Sequence, residues 1–141
     1  MKTPAYVFAL GAMFCWGLAP LFGKIGVTRV EPHVALLIRN FAVSVILLIW
    51  ASLSGNLYRI ATVDIKSGLF LVLDGLAGAL GGALFLYLAL KHGETTRVVP
   101  ITSAFPIVAF AGAVIFLSEK PTLEKLLGTG LILAGLIIIQ K

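Results

Sequence analysis

Five stretches of the chain are apolar over most of their length: Ala5 to Phe22, Val34 to Leu53, Gly68 to Leu90, Val98 to Leu117 and Leu126 to Ile139. None alternates with a period of two, and each is too long for a β-strand. In hydrocarbon a backbone must satisfy its own hydrogen bonds, so each stretch is expected to be a helix. The connections are short: Lys24 to His33, Ser54 to Ser67, Lys91 to Arg97 and Ser118 to Lys125. Short connections force successive helices to run antiparallel. The fifth stretch covers only about 21 Å of a roughly 30 Å hydrocarbon core. With Leu123 extending it, and Lys125 and Lys141 snorkelling at its ends, it counts as a span. The expectation is an all-α membrane protein, one domain over residues 1–141, built as a bundle of five transmembrane helices.

Composition agrees. Of 141 residues, 60% are hydrophobic and 12% charged, where a soluble domain carries about a quarter charged. Mean hydropathy is +1.07. The net charge of +5 does not point to nucleic acid, because Lys and Arg stand singly between apolar stretches instead of forming a basic patch. They read as membrane-flanking residues. Cys15 is the one cysteine, so no internal disulfide forms. Lys2 followed by an apolar stretch has the outline of a secretory leader, but that stretch runs on to Phe22 and reads as a retained first helix.

Small residues suggest where helices meet. Gly78 and Gly82 form a GxxxG pair, Gly75, Ala79 and Ala83 a second row, and Gly128 and Gly135 share a face. Such rows let helix backbones approach closely in lipid. Packing is the plainer reading; a cavity wall or a dimer seam is the functional one.

No catalytic constellation is present: there is no Ser-His-Asp set, no phosphate-cradling glycine loop and no CxxC. No enzymatic activity, bound cofactor or metal is therefore expected. His33 and His92, each two residues from a glutamate (Glu31 and Glu94), read as solvated loop residues. The polar and irregular positions inside the apolar stretches are more informative. Pro100 falls in the first turn of the fourth helix. Pro106 falls in its interior, where it removes a backbone bond and crowds the Thr102 carbonyl beside the Thr102 and Ser103 hydroxyls. Trp16, Gly17 and Pro20 are expected to break the first helix in the same way. Arg39 and Asp74 lie roughly 8 and 9 Å inside the second and third stretches. An ionisable group at that depth is costly, and it is functional, paired or snorkelling.

These residues, in order, resemble the EamA-like family of the drug/metabolite transporter superfamily. The matching pieces are Trp16-Gly17, Lys24, Pro32 and Arg39, then Tyr87-Leu88-Ala89-Leu90 and Val99-Pro100-Ile101 before Pro106. Phe116-Leu117-Ser118-Glu119-Lys120-Pro121 and the Gly128 to Gly135 segment complete the series. The resemblance implies a five-helix repeat unit of a secondary transporter, half of a ten-helix inverted-repeat architecture. Related small multidrug resistance proteins couple protons through an acidic residue in the first helix. No Asp or Glu occurs between Met1 and Val30, so that mechanism does not carry over.

The resulting expectation is a transporter, working as an efflux carrier, in the plasma membrane. It moves a small organic solute, amino-acid-like or amphipathic, through a cavity between protomers. Trp16 stacks on the solute, Arg39 attracts an anionic group, and Asp74 binds a proton or a cationic group. Thr102 and Ser103 add hydroxyls, and the Pro106 bend gates. The rival is a membrane subunit that does not itself transport, or that pairs with a different five-helix chain. Five spans place the termini on opposite sides, so a lone unit matches an inverted repeat only as an antiparallel homodimer. The basic residues permit both insertions. Lys2, Arg59, Lys66, Lys120 and Lys125 face five others, Lys24, Arg29, Lys91, Arg97 and Lys141. In that dimer one chain's Arg39 reaches the depth of the other's Asp74, where an ion pair can form.

Overall fold

A computed structural model of the chain describes residues 3–139. Lys2 and Lys141, which enter the charge count above, lie outside the described residues. Among those described, all regular structure is helical. Four helical segments are long and apolar enough to cross a membrane: Val7–Arg29, Pro32–Leu53, Ile65–His92 and Thr95–Phe116. The fifth apolar stretch forms a helix of 17 residues, Leu123–Ile139, about 26 Å long. Large apolar side chains stand open along these helices; Leu53, Ile65 and Phe116 are each more than four-fifths exposed. Each such side chain left in water forgoes about 1.5–3 kcal/mol of burial, so this surface belongs in lipid.

The chain divides into two compact units, Met1–His92 and Gly93–Lys141. In the first, α1 (Thr3–Arg29) and α2 (Pro32–Leu53) are joined by only Val30 and Glu31. Glu31 caps α2 in extended conformation and Pro32 begins it, a position where the missing N–H has no intrahelical partner to lose. Pro20 lies inside α1, which continues through it, so the expected break of the first helix does not occur. α2 ends at Leu53, and Gly55 just beyond it, with φ of +66°, lets the N–H groups of Gly55 and Asn56 turn back onto the carbonyls of Ser52 and Ala51. A short 3₁₀ helix, Leu57–Thr62, follows. Asp64 then caps α3 (Ile65–Asp74) by accepting a hydrogen bond from the Ser67 N–H at 2.9 Å.

The third crossing segment is not uniform. Between α3 and α4 (Ala83–His92) the chain winds as a π-helix over Gly75–Gly82, a wider coil that is uncommon and often functional. The glycines explain how it fits. A Cβ on Gly81 would stand 3.3 Å from the Leu76 carbonyl oxygen, and one on Gly82 3.3 Å from that of Ala77; a Cβ on Gly78 would meet nothing within 4 Å. α4 packs against both α1 and α2. Val27, Leu36, Ala83 and Leu90 form the core there.

The second unit holds α5 (Thr95–Thr102), α6 (Phe105–Phe116) and α7 (Leu123–Ile139). The fourth apolar stretch is divided in two instead of bending. Pro100 lies inside α5, because that helix starts at Thr95, one turn earlier than the hydropathy pattern predicts. Pro106 lies in the first turn of α6, not in a helix interior. Its missing N–H therefore falls where no intrahelical acceptor is due.

Gly→Ala in an ordinary helix stabilises by about 0.5–1 kcal/mol. Gly78→Ala is expected to show that gain, while Gly81→Ala and Gly82→Ala lose it against the crowded carbonyls. Thermal unfolding of the purified variants in one detergent measures this; equal gains at all three positions would remove the steric role of Gly81 and Gly82.

Candidate functional site

A cavity of about 390 Å³ opens in the first unit, lined by α1, α2 and Tyr87 of α4. α1 contributes Ala19, Phe22, Gly23 and Gly26, a stripe with helical spacing. α2 contributes Ala35, Ile38 and Arg39, again one face. Among the described lining residues Arg39 carries the charge. It stands seven residues after the start of α2, about 10 Å along the helix.

The two lining glycines do different work. A Cβ on Gly23 would stand 3.1 Å from the Tyr87 ring, so this glycine admits the tyrosine against α1. A Cβ on Gly26 would meet nothing within 4 Å. Gly26 therefore leaves space in the cavity and is not required for packing within the chain.

Polar contacts secure the same end of the unit. The Lys24 ammonium donates to the Leu90 carbonyl in the last turn of α4, where a cation opposes the negative end of the helix dipole. Lys91 pairs with Glu31 at 2.6 Å. The Lys91 hydrogen bond and charge hold the Glu31 carboxyl below the usual carboxylate range, with smaller pulls from His33 and His92. These contacts join α4 to α1 and to the α1–α2 turn beside the cavity.

The sequence-predicted residues do not all gather here. Arg39 lines the cavity. Trp16 lies on the α1 face that continues the stripe, one turn before Ala19, and is exposed. Asp74 is the last residue of α3, directly before the π-helix, and is not part of the lining. Within the chain the two charges are not brought together. Thr102, Ser103 and Pro106 mark the α5–α6 division in the second unit. There the Thr102 hydroxyl donates to the Val99 carbonyl at 3.0 Å and the Ser103 N–H to the same carbonyl at 2.8 Å. Sequence reasoning missed Phe22, Gly23, Gly26 and Tyr87 as site residues. The available signal was the stripe at positions 19, 22, 23 and 26, which runs on past Phe22.

The profile of the EamA-like transporter family matches residues 3–140. The chain belongs to the EamA-like transporter family. As a family member it is a multi-pass membrane protein of a transporter family. It is 31% identical over 132 residues to an uncharacterized transporter in the cobO 3′ region of a Sinorhizobium species, covering 92% of this chain and 91% of that protein. It is 30% identical over 144 residues to an uncharacterized protein of Methanocaldococcus jannaschii, covering 99% and 98%. A probable amino-acid metabolite efflux pump of Escherichia coli is 29% identical over 140 residues, which is 94% of this chain but 47% of the pump. No solved structure matches the chain significantly. Of these relatives, two are nearly coextensive with this chain, and the chain spans about half the length of the third.

A carboxyl whose pKa is lowered by folding stabilises above its ordinary range, and that contribution fades as pH falls through the lowered value. The Glu31–Lys91 contact is thus intact at neutral pH and opens only in acid. Carboxyl-carbon NMR of the protein in detergent micelles should show Glu31 titrating below the ordinary glutamate range, and Lys91→Met should return it upward. An unchanged titration in that variant would dissolve the pairing.

Proposed function

We propose that this EamA protein is a secondary transporter that exports small organic metabolites across the plasma membrane, working as an antiparallel homodimer of five-helix units. The observation that carries the reading is Arg39, a cation at membrane depth lining a cavity in a chain of a transporter family. A charge so placed is costly unless it faces a solute path or a counter-charge or snorkels to the interface, and a cavity wall favours the first. Arg39 holds the solute, with Trp16 extending the apolar wall along α1. Asp74, beside the π-helix, takes up the coupling proton. The α5–α6 division at Thr102, Ser103 and Pro106 supplies the moving segment, since a broken helix needs less rearrangement to reorient than a continuous one.

The dimer rests on two further facts. Two relatives match this chain over nearly their whole lengths, while the efflux pump has room for two such units. Lys and Arg are balanced between the two loop sets, which leaves insertion undirected.

Proteoliposomes of the purified chain should take up metabolites from a mixed pool in response to a pH gradient, and Asp74→Asn should abolish the dependence on that gradient. Cysteines introduced by Ser54→Cys and, separately, Thr95→Cys, with Cys15→Ser, should both react with an impermeant reagent added outside intact cells. Reaction at only one of them would exclude dual insertion. Uptake by a single fixed topology would then favour a parallel or heteromeric assembly.

A further inference from the structure

We infer that the cavity beside Arg39 is a binding site for small monocarboxylate anions with a compact apolar body, and that it rejects zwitterionic amino acids. The inference rests on the transport reading above for its biological setting, and on the lining for its chemistry. Phe22, Ile38 and the Tyr87 ring give apolar walls to the cavity. Apolar walls with a few polar groups are the usual make-up of a small-molecule site, and about 390 Å³ lies in the usual size range. The polar group here is a guanidinium, whose forked donors match a carboxylate in two parallel hydrogen bonds.

The described lining also argues against an ammonium group. It includes no Asp or Glu. Asp74 lies at the end of α3 and outside the lining. Glu31 is engaged by Lys91. An α-amino group entering with the carboxylate would stand near the Arg39 cation, which repels it, and would gain no carboxylate in return. The discriminating feature of the solute is therefore a net negative charge.

Gly26 sets the room for the apolar body. Its missing Cβ faces open space, whereas that of Gly23 faces Tyr87. Filling position 26 narrows the cavity without touching the packing; filling position 23 displaces the tyrosine.

The test uses the full chain in lipid nanodiscs and three probes that share one apolar body. These are 3-phenylpropanoate, its amide, and L-phenylalanine, titrated by calorimetry. The anion should bind at least about tenfold more tightly than either other probe, the scale of one charge-assisted contact. Arg39→Gln should erase the preference, and Arg39→Lys should keep part of it. Gly26→Val should weaken the anion and the amide alike without lowering the thermal unfolding temperature, which separates a filled cavity from a misfolded chain. Equal binding of the amide or of phenylalanine, no binding of the anion, or a preference surviving in Arg39→Gln would overturn the inference. Flux of labelled 3-phenylpropanoate into proteoliposomes separates the two readings. Selective binding without flux leaves the site in place and defeats the transport proposal. Flux of other solutes without carboxylate preference does the reverse.

Discussion

Hydrocarbon offers a polypeptide no hydrogen-bonding partner, and this one constraint accounts for most of the structure. It makes every long apolar stretch helical. It also gives meaning to each departure from an ordinary α-helix, because a freed carbonyl or a charge at membrane depth must find protein or water. Among the described residues such departures include the π-helix of Gly75–Gly82 with Asp74 directly before it, the division between α5 and α6, and Arg39 in α2. α1 takes Pro20 in its stride and buries it, so a proline alone does not mark such a place.

Close approach in the first unit depends on residues that have almost no side chain. Gly23 lets the Tyr87 ring lie against α1. α4 can then meet α1 and α2 around Val27, Leu36, Ala83 and Leu90. Lys24 and the Lys91–Glu31 pair tie that meeting point at the membrane edge, where charged heads remain solvated. An exposed ion pair of this kind is screened by water and adds little to stability, so it orients α4 more than it stabilises the fold. The cavity lies next to this tied end, with Arg39 on the wall contributed by α2.

The helical class and the places of the apolar stretches were legible in the sequence, because a missing polar coat and long unalternated stretches have one physical explanation. Helix ends were less so. Hydropathy stops at Lys24, yet α1 runs to Arg29 because a lysine can snorkel while its backbone stays helical. That misplaced end hid Gly26 in a connection. Arg39 was legible because a charge inside an apolar stretch stands out; Tyr87 was not, since an aromatic near a helix end reads as an interfacial anchor. Pro106 signals an irregularity in the fourth apolar stretch without saying which kind. Local sequence does not say whether a chain bends around a lost hydrogen bond or starts a new helix. The π-helix was invisible: its glycines serve equally for packing, and only the approach of Gly81 and Gly82 to the carbonyls five residues back separates the two uses.

If Arg39 holds a solute, position 39 faces a water-reachable cavity and not lipid. Arg39→Cys and Phe41→Cys, each with Cys15→Ser, should be compared in native membranes. Phe41 is an apolar, exposed residue of the same helix and is absent from the lining, so it serves as the lipid-facing reference. The measurement is the rate of reaction with a charged, water-soluble methanethiosulfonate. The account predicts that position 39 reacts readily and position 41 slowly, with a lipophilic maleimide labelling both. Slow reaction at position 39, equal to that at 41, would contradict it.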